Sequence, residues 1–198
     1  MRNIDMGIAR KWAEELHAQV LETGDRAIDA TMGNGYDTLR LCSLVGDTGK
    51  VYAFDVQPEA IESTRAKLEE AGVDRRAELI LSGHQNVKEY IKEEIHLAVF
   101  NLGWLPGIEH AIRTRSETTL QAVNACLDLL APGGVLTVCV YPGHEEGREE
   151  LSDLLSWAEG LDPLRYDAVV RRYLNQPLDP PVLIAVKKAE KVRKPRRR

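Results

Sequence analysis

Asp29-Ala30-Thr31-Met32-Gly33-Asn34-Gly35 closes a short apolar run, Ala27 and Ile28, and opens a helical pattern at Tyr36. That order reads as a strand, a glycine turn and a helix start. In a doubly wound sheet such a turn brings bare backbone close to a nucleotide-like ligand, and Gly33 and Gly35 permit the approach because they lack a Cβ. A carboxylate is then expected about 20 residues on, where the next strand ends beside a ribose. Val51-Tyr52-Ala53-Phe54-Asp55 supplies it.

Spacing separates the cofactor classes that fit this outline. A dinucleotide fingerprint, Gly-x-Gly-x-x-Gly or Ala, needs a small residue at position 38. Thr38 stands there, which makes a nicotinamide dehydrogenase the weaker reading. The order acid, three residues, Gly, x, Gly resembles the first motif of class I S-adenosylmethionine-dependent methyltransferases, with Asp29 as the acid.

A chain of 198 residues accommodates one α/β domain with a substantial core. No run of 18 apolar residues and no signal-peptide h-region appear, so a cytoplasmic protein with no membrane partner is expected. Cys42, Cys126 and Cys139 are far apart and lie in apolar patterns, which suits reduced core residues; no metal site is read. Charge is asymmetric: from Lys187 to Arg198 eight basic residues face one acid, a net +7 that leaves −12 on the rest of a chain totalling −5. Residues 1–188 are therefore read as the domain and 189–198 as a basic, disordered tail able to touch nucleic-acid phosphates without sequence choice.

Along the chain, Ile8, Trp12, Leu16 and Val20 recur every fourth residue, giving a leading helix with one apolar stripe, expected to lie over the sheet edge near the cofactor. Strands are expected at 27–30, 51–55, 79–81, 97–100 and 135–140, alternating with helices. Two late strands, about 166–174 and 182–186, have no helix between them. The expected architecture is a Rossmann-like, seven-stranded, mostly parallel sheet ending in an antiparallel hairpin. The segments after the parallel strands then converge on one crevice. They are the glycine turn, Asp55, Ser82-Gly83-His84-Gln85-Asn86, Asn101-Leu102-Gly103-Trp104-Leu105-Pro106-Gly107 and Tyr141-Pro142-Gly143-His144.

In that crevice Asp29, Asn34 and the amides of Gly33 and Gly35 are expected to hold the methionine end of S-adenosylmethionine, and Asp55 to accept from the ribose hydroxyls. The Ser82–Asn86 loop edges the adenine. Asn101 lies near the methyl group, Trp104 offers a face on which a base stacks, and His144 or His84 is a candidate proton acceptor for an amine nucleophile.

Asp29-Ala30-Thr31-x-Gly33-Asn34-Gly35-x-Asp37-Thr38, Gly83-His84-Gln85-Asn86, the Asn101–Gly107 segment, Thr118-Thr119, Tyr141-Pro142-Gly143-His144 and Asn175-Gln176 with Pro180-Pro181 together resemble a bacterial class I family. It is labelled putative rRNA methylase, and its members include the transfer-RNA 5-(aminomethyl)-2-thiouridine methyltransferases. The resemblance covers residues 1 to about 188. It implies N-methylation of the aminomethyl group on the wobble uridine, a tRNA partner bound at the anticodon region, and room for a homodimer. It also implies cofactor contacts at Asp29, Gly33, Asn34, Gly35, Asp37, Thr38, Asp55, Gln57, His84, Gln85 and Asn101, with Asn101, Trp104 and His144 at the reacting end. Two positions depart from the pattern: Ser82 replaces an Asp that often contacts the adenine amino group, and Trp104 replaces a more usual Tyr. An rRNA methyltransferase and a non-catalytic RNA-binding protein on the same fold are the competing readings.

Overall fold

The computed structural model describes residues 7–102, 116–176 and 179–194. Seven strands form one sheet: β1 (Arg26–Asp29), β2 (Lys50–Asp55), β3 (Ala77–Leu81), β4 (Ile95–Asn101), β5 (Leu130–Val140), β6 (Tyr166–Arg171) and β7 (Val182–Lys188). Their order is β3-β2-β1-β4-β5-β7-β6, parallel through β5 and antiparallel for the two pairings of β7. The expected class I architecture and closing hairpin are thus present.

Because a parallel strand is covered on both sides, alternate residues feed two cores. Ile28, Phe54, Ala98, Phe100, Leu136 and Ile184 pack against α4 (Val87–Tyr90), α5 (Ser116–Leu129) and α6 (Glu145–Glu159). Ala27, Val51, Leu97 and Val99 pack on the opposite face against α2 (Tyr36–Val45) and α3 (Pro58–Glu70). Cys42, Cys126 and Cys139 are free thiols inside this packing, pushed up to about 12 by burial. Among the described residues no helix is long and apolar enough to cross a membrane.

Three sequence expectations change. Helix α1 (Ala9–Val20) buries Ala9, Trp12, Ala13 and His17, and leaves Ile8 58% exposed, so the inward face is rotated from the apolar stripe. It lies over β5 and β7 and not on an edge, because His17 shares a 2.8 Å hydrogen bond with Thr137 of β5 and Trp12 packs beside Cys139 and Leu183. Burial holds His17 neutral, lowering it to about 3. Strand β5 starts five residues before the expected Val135: Leu130 pairs with Ile95, and Pro132-Gly133-Gly134 becomes an irregularity within the strand instead of a turn before it. Finally, the tail does not leave the domain at residue 189. The Ala189 amide donates to the Arg165 carbonyl at 2.7 Å, the Arg193 amide to the Leu164 carbonyl at 2.9 Å, and the Arg193 guanidinium grips Asp167 through both oxygens.

Candidate active site

The site lies at the carboxyl ends of β1, β2 and β4, where β1 is flanked by β2 running outward one way and β4 the other; this reversal opens the crevice of a doubly wound sheet. Asp29, the last residue of β1, is fully buried. Its Oδ1 accepts from the Thr31 amide at 3.2 Å, the Asx-turn geometry that bends the chain out of the strand. Its Oδ2 accepts from Thr38 Oγ1 at 2.6 Å. Burial, reinforced by the nearby Asp37 charge, pushes the Asp29 carboxyl up to about 7.

The glycine turn is held from below. Gly35 has φ +77°, and a Cβ there would sit 2.6 Å from Thr64 Oγ1 of α3. Thr64 itself donates to the Gly33 carbonyl at 3.2 Å. The amides expected to face a ligand are used within the protein: Gly33 donates to Asp55 Oδ2 at 2.9 Å, and Gly35 to the Met32 carbonyl at 2.9 Å. Asp55 Oδ1 accepts from the Gln57 amide at 3.0 Å. Each Asp55 oxygen keeps a further lone pair, so the residue can still receive a hydroxyl donor. Asn34, at the apex of the turn, is exposed.

Asn101 ends β4 and joins the two halves of the crevice. Its amide donates to Thr31 Oγ1 at 2.7 Å, and its Nδ2 donates to Asp37 Oδ2 at 3.2 Å. Since a carboxylate only accepts, Asp37 fixes which way the Asn101 amide is turned. Asn101 Oδ1 is consequently presented as a buried acceptor with no hydrogen-bond partner among the described residues. Tyr141, which follows β5, stands beside the same amide, and burial raises its hydroxyl above the ordinary phenol range.

The two histidines behave differently. His84 Nδ1 lies 3.1 Å from the Ala30 carbonyl and therefore carries the proton, which leaves the lone pair on Nε2; burial lowers its basicity. His144 caps α6: its Nδ1 accepts the Gly147 amide at 3.0 Å. The same nitrogen lies 3.2 Å from Glu146 Oε2, so the imidazole is tied to the first turn of α6. Thr38 is fully buried, and its hydroxyl donates to Asp29. Gln85 folds its side chain against Gly83, where an added Cβ would collide with the Gln85 amide. Trp104 lies outside the described residues, as does the rest of its loop from Gly103 to Gly107.

Sequence reasoning missed Thr31, Thr64 and Arg10. Thr31 had a signal, because an Asp followed two residues later by its own amide partner is standard turn chemistry. Thr64 had none, being one polar residue on an amphipathic helix. Arg10 of α1 reaches within 3.8 Å of Asp37, a contact that only the docking of α1 creates.

The chain is similar in sequence and fold to several named proteins. A family model described as "Putative rRNA methylase" matches residues 51–187. The chloroplastic tRNA (mnm(5)s(2)U34)-methyltransferase of Arabidopsis thaliana is 38% identical over 190 residues, covering 91% of this chain and 69% of that one. A crystal structure from Clostridium thermocellum, described as a putative rRNA-methylase, superposes with TM-score 0.91 at 37% identity, covering 93% of this chain and 100% of the other. A putative methyltransferase from Streptococcus mutans, crystallised with S-adenosylhomocysteine, superposes with TM-score 0.85 at 38% identity over 93% of this chain and 99% of that one. With the family match spanning well over half its length and a class I crevice intact, the chain belongs to the putative rRNA methylase family of class I methyltransferases.

Proposed function

We propose that this protein transfers a methyl group from S-adenosylmethionine to the aminomethyl nitrogen of a 5-(aminomethyl)uridine, 2-thiolated or not, at the wobble position of tRNA. The observation that carries the reading is the buried Oδ1 of Asn101 at the end of β4, which has no partner among the described residues. A primary amine has N–H donors to offer such an oxygen, and the bond aims its lone pair while its remaining substituents stay free. The Asp37 and Thr31 contacts hold that oxygen still before substrate arrives.

The crevice also suits the cofactor. Asp29, Asp37 and Asp55 surround a turn that a cationic ligand would neutralise, and Asp55 retains acceptor capacity for a diol. When bound, S-adenosylmethionine supplies a methyl group on a sulfonium, which departs as a neutral thioether. What this chain contributes is orientation and exclusion of water, since little covalent chemistry is asked of it. The nucleophilic nitrogen must be neutral to attack and sheds a proton afterwards; of the two candidate histidines, His84 keeps its Nε2 lone pair while His144 spends Nδ1 on a helix cap.

The tRNA substrate is supported by the name of the Arabidopsis relative, and the family description keeps rRNA as the second reading. The experiment supplies purified protein with S-adenosylmethionine and tRNA from cells lacking the modification, followed by nucleoside mass spectrometry, with bulk rRNA treated in parallel. One added methyl on the aminomethyl nucleoside is the expected result. Incorporation confined to rRNA would favour the second reading, and incorporation into neither would return the protein to the non-catalytic class.

A further inference from the structure

The methionyl end of the cofactor is a zwitterion, so a site that receives it must satisfy a carboxylate as well as an ammonium. The described side chains at this end are acidic: Asp29 is buried beneath the turn and Asp37 faces Asn101. An incoming carboxylate beside Asp37 would be repelled unless a cation stands there. Two guanidiniums do, Arg10 of α1 and Arg40 of α2. Arg40 is committed, since its Nη2 donates to the Glu14 carbonyl and ties α2 to α1. Arg10 is not committed in the same way. Its Nη2 lies 3.8 Å from Asp37 Oδ1, at the limit of an ion pair, its Nε lies 3.1 Å from Glu14 Oε1, and its side chain is 44% exposed. Exposed pairings of this kind are worth little and exchange readily. A guanidinium also matches a carboxylate through two parallel N–H bonds, which an ammonium cannot do.

We propose that Arg10 binds the carboxylate of the cofactor's methionyl end, exchanging its loose contact with Asp37 for a bidentate pair, so that α1 closes one side of the cofactor site. The inference rests on the S-adenosylmethionine reading above. It gives α1 a part in cofactor binding that its helical pattern does not announce: His17 and Trp12 anchor the helix to β5 and β7, and Arg10, two residues before Trp12, reaches Asp37.

The test is binding by calorimetry with two ligands, S-adenosylmethionine and its decarboxylated form, which keeps the ammonium and sulfonium and lacks only the carboxylate. Arg10→Ala should weaken S-adenosylmethionine by roughly 10–100-fold, the worth of a charge-assisted hydrogen-bonded pair, and the decarboxylated ligand by less than about threefold. Arg10→Lys should recover part of the loss, since it restores charge without the fork. Equal weakening of both ligands would overturn the proposal, because Arg10 would then act only through Asp37 or the fold. No weakening of either would overturn it as well. Failure of the unaltered protein to bind S-adenosylmethionine at all would instead remove the cofactor reading, and the proposal falls with it.

Discussion

The backbone amide of Asn101 donates to the side chain of Thr31 at 2.7 Å, joining the end of β4 to the loop that leaves β1. One hydroxyl thereby sets the distance between the glycine turn and the residue that presents Oδ1. Thr31→Val keeps the shape and strands the amide, which should cost about 1–3 kcal/mol in denaturant titration. Turnover should fall more than cofactor affinity does, and Thr31→Ser should restore both. Unchanged turnover in a destabilised Thr31→Val protein would mean that the link serves the fold alone.

Removing the acceptor itself is a sharper perturbation. Asn101→Ala should lower kcat by about 10²–10³-fold, the usual scale for a positioned polar group at a reacting centre. Binding of S-adenosylhomocysteine should change by only a few-fold, because Asp55 and the glycine turn remain. A variant that binds normally and turns over normally would exclude Asn101 from the transition state.

Stability should depend on pH through Asp29. Its carboxyl sits at about 7 in the folded protein against an ordinary 3.8, raised first by burial and then by Asp37. Below pH ~4 the folded and unfolded chains both hold the proton, so the group contributes no penalty. As pH rises from ~4 to ~7 the unfolded chain ionises first, and folding stability falls by about 4 kcal/mol in all, an order-of-magnitude figure. Asp29→Asn removes the titration while its amide oxygen can still accept from Thr38. Urea denaturation of the ligand-free proteins should show the Asp29→Asn variant gaining about 3 kcal/mol relative to the parent between pH ~4.5 and pH ~8. A difference that does not move with pH would disprove the shifted carboxyl.

Two glycines with similar backbones should respond unequally to the same change. Gly35 has φ +77° and its added Cβ would meet the Thr64 Cα at 2.9 Å, whereas Gly72 has φ +67° and nothing within 4 Å. Gly72→Ala should cost only the left-handed strain, about 1–2 kcal/mol. Gly35→Ala adds overpacking against the α3 backbone, roughly 1–3 kcal/mol more, and should also abolish cofactor binding as the turn shifts. Thermal melts of the two variants with and without S-adenosylhomocysteine separate the contributions.

His144 offers a choice between cap and base. If its Nδ1 serves α6, His144→Ala should lose about 1 kcal/mol and His144→Asn should recover it, because Asn is a good N-cap. Turnover should follow stability and stay within a few-fold in the Asn variant. A large fall in kcat with a flattened pH profile in His144→Asn would instead assign it the proton-transfer role.

Much of this was open to reading in one dimension because it depends on neighbours in the chain. The strand, turn and helix around Asp29–Gly35 follow from glycine freedom and apolar spacing, and Asp55 follows from the length of one βα unit. The late antiparallel hairpin followed from the absence of a helix between two strands. The burial of His17 was not legible, since its partner Thr137 is 120 residues away and an apolar stripe at Ile8, Trp12, Leu16 and Val20 was the stronger local signal. The docked tail residues were masked by their composition: the Arg193–Asp167 pair exists only once β6 is in place.

What the sequence by itself determined was the order of elements, the cofactor class suggested by the acid-led glycine turn, and the residues that reach the crevice, because periodicity and turn chemistry act over a few residues. Only the tertiary structure decided how those residues are employed. It turned the Gly33 and Gly35 amides inward, spent Thr38 on Asp29 and His144 on a cap, oriented Asn101 through Asp37, and brought Arg10 to the same carboxylate. The physical reason is that a buried donor or acceptor takes whichever partner the packing of distant strands delivers, and no local pattern records that choice.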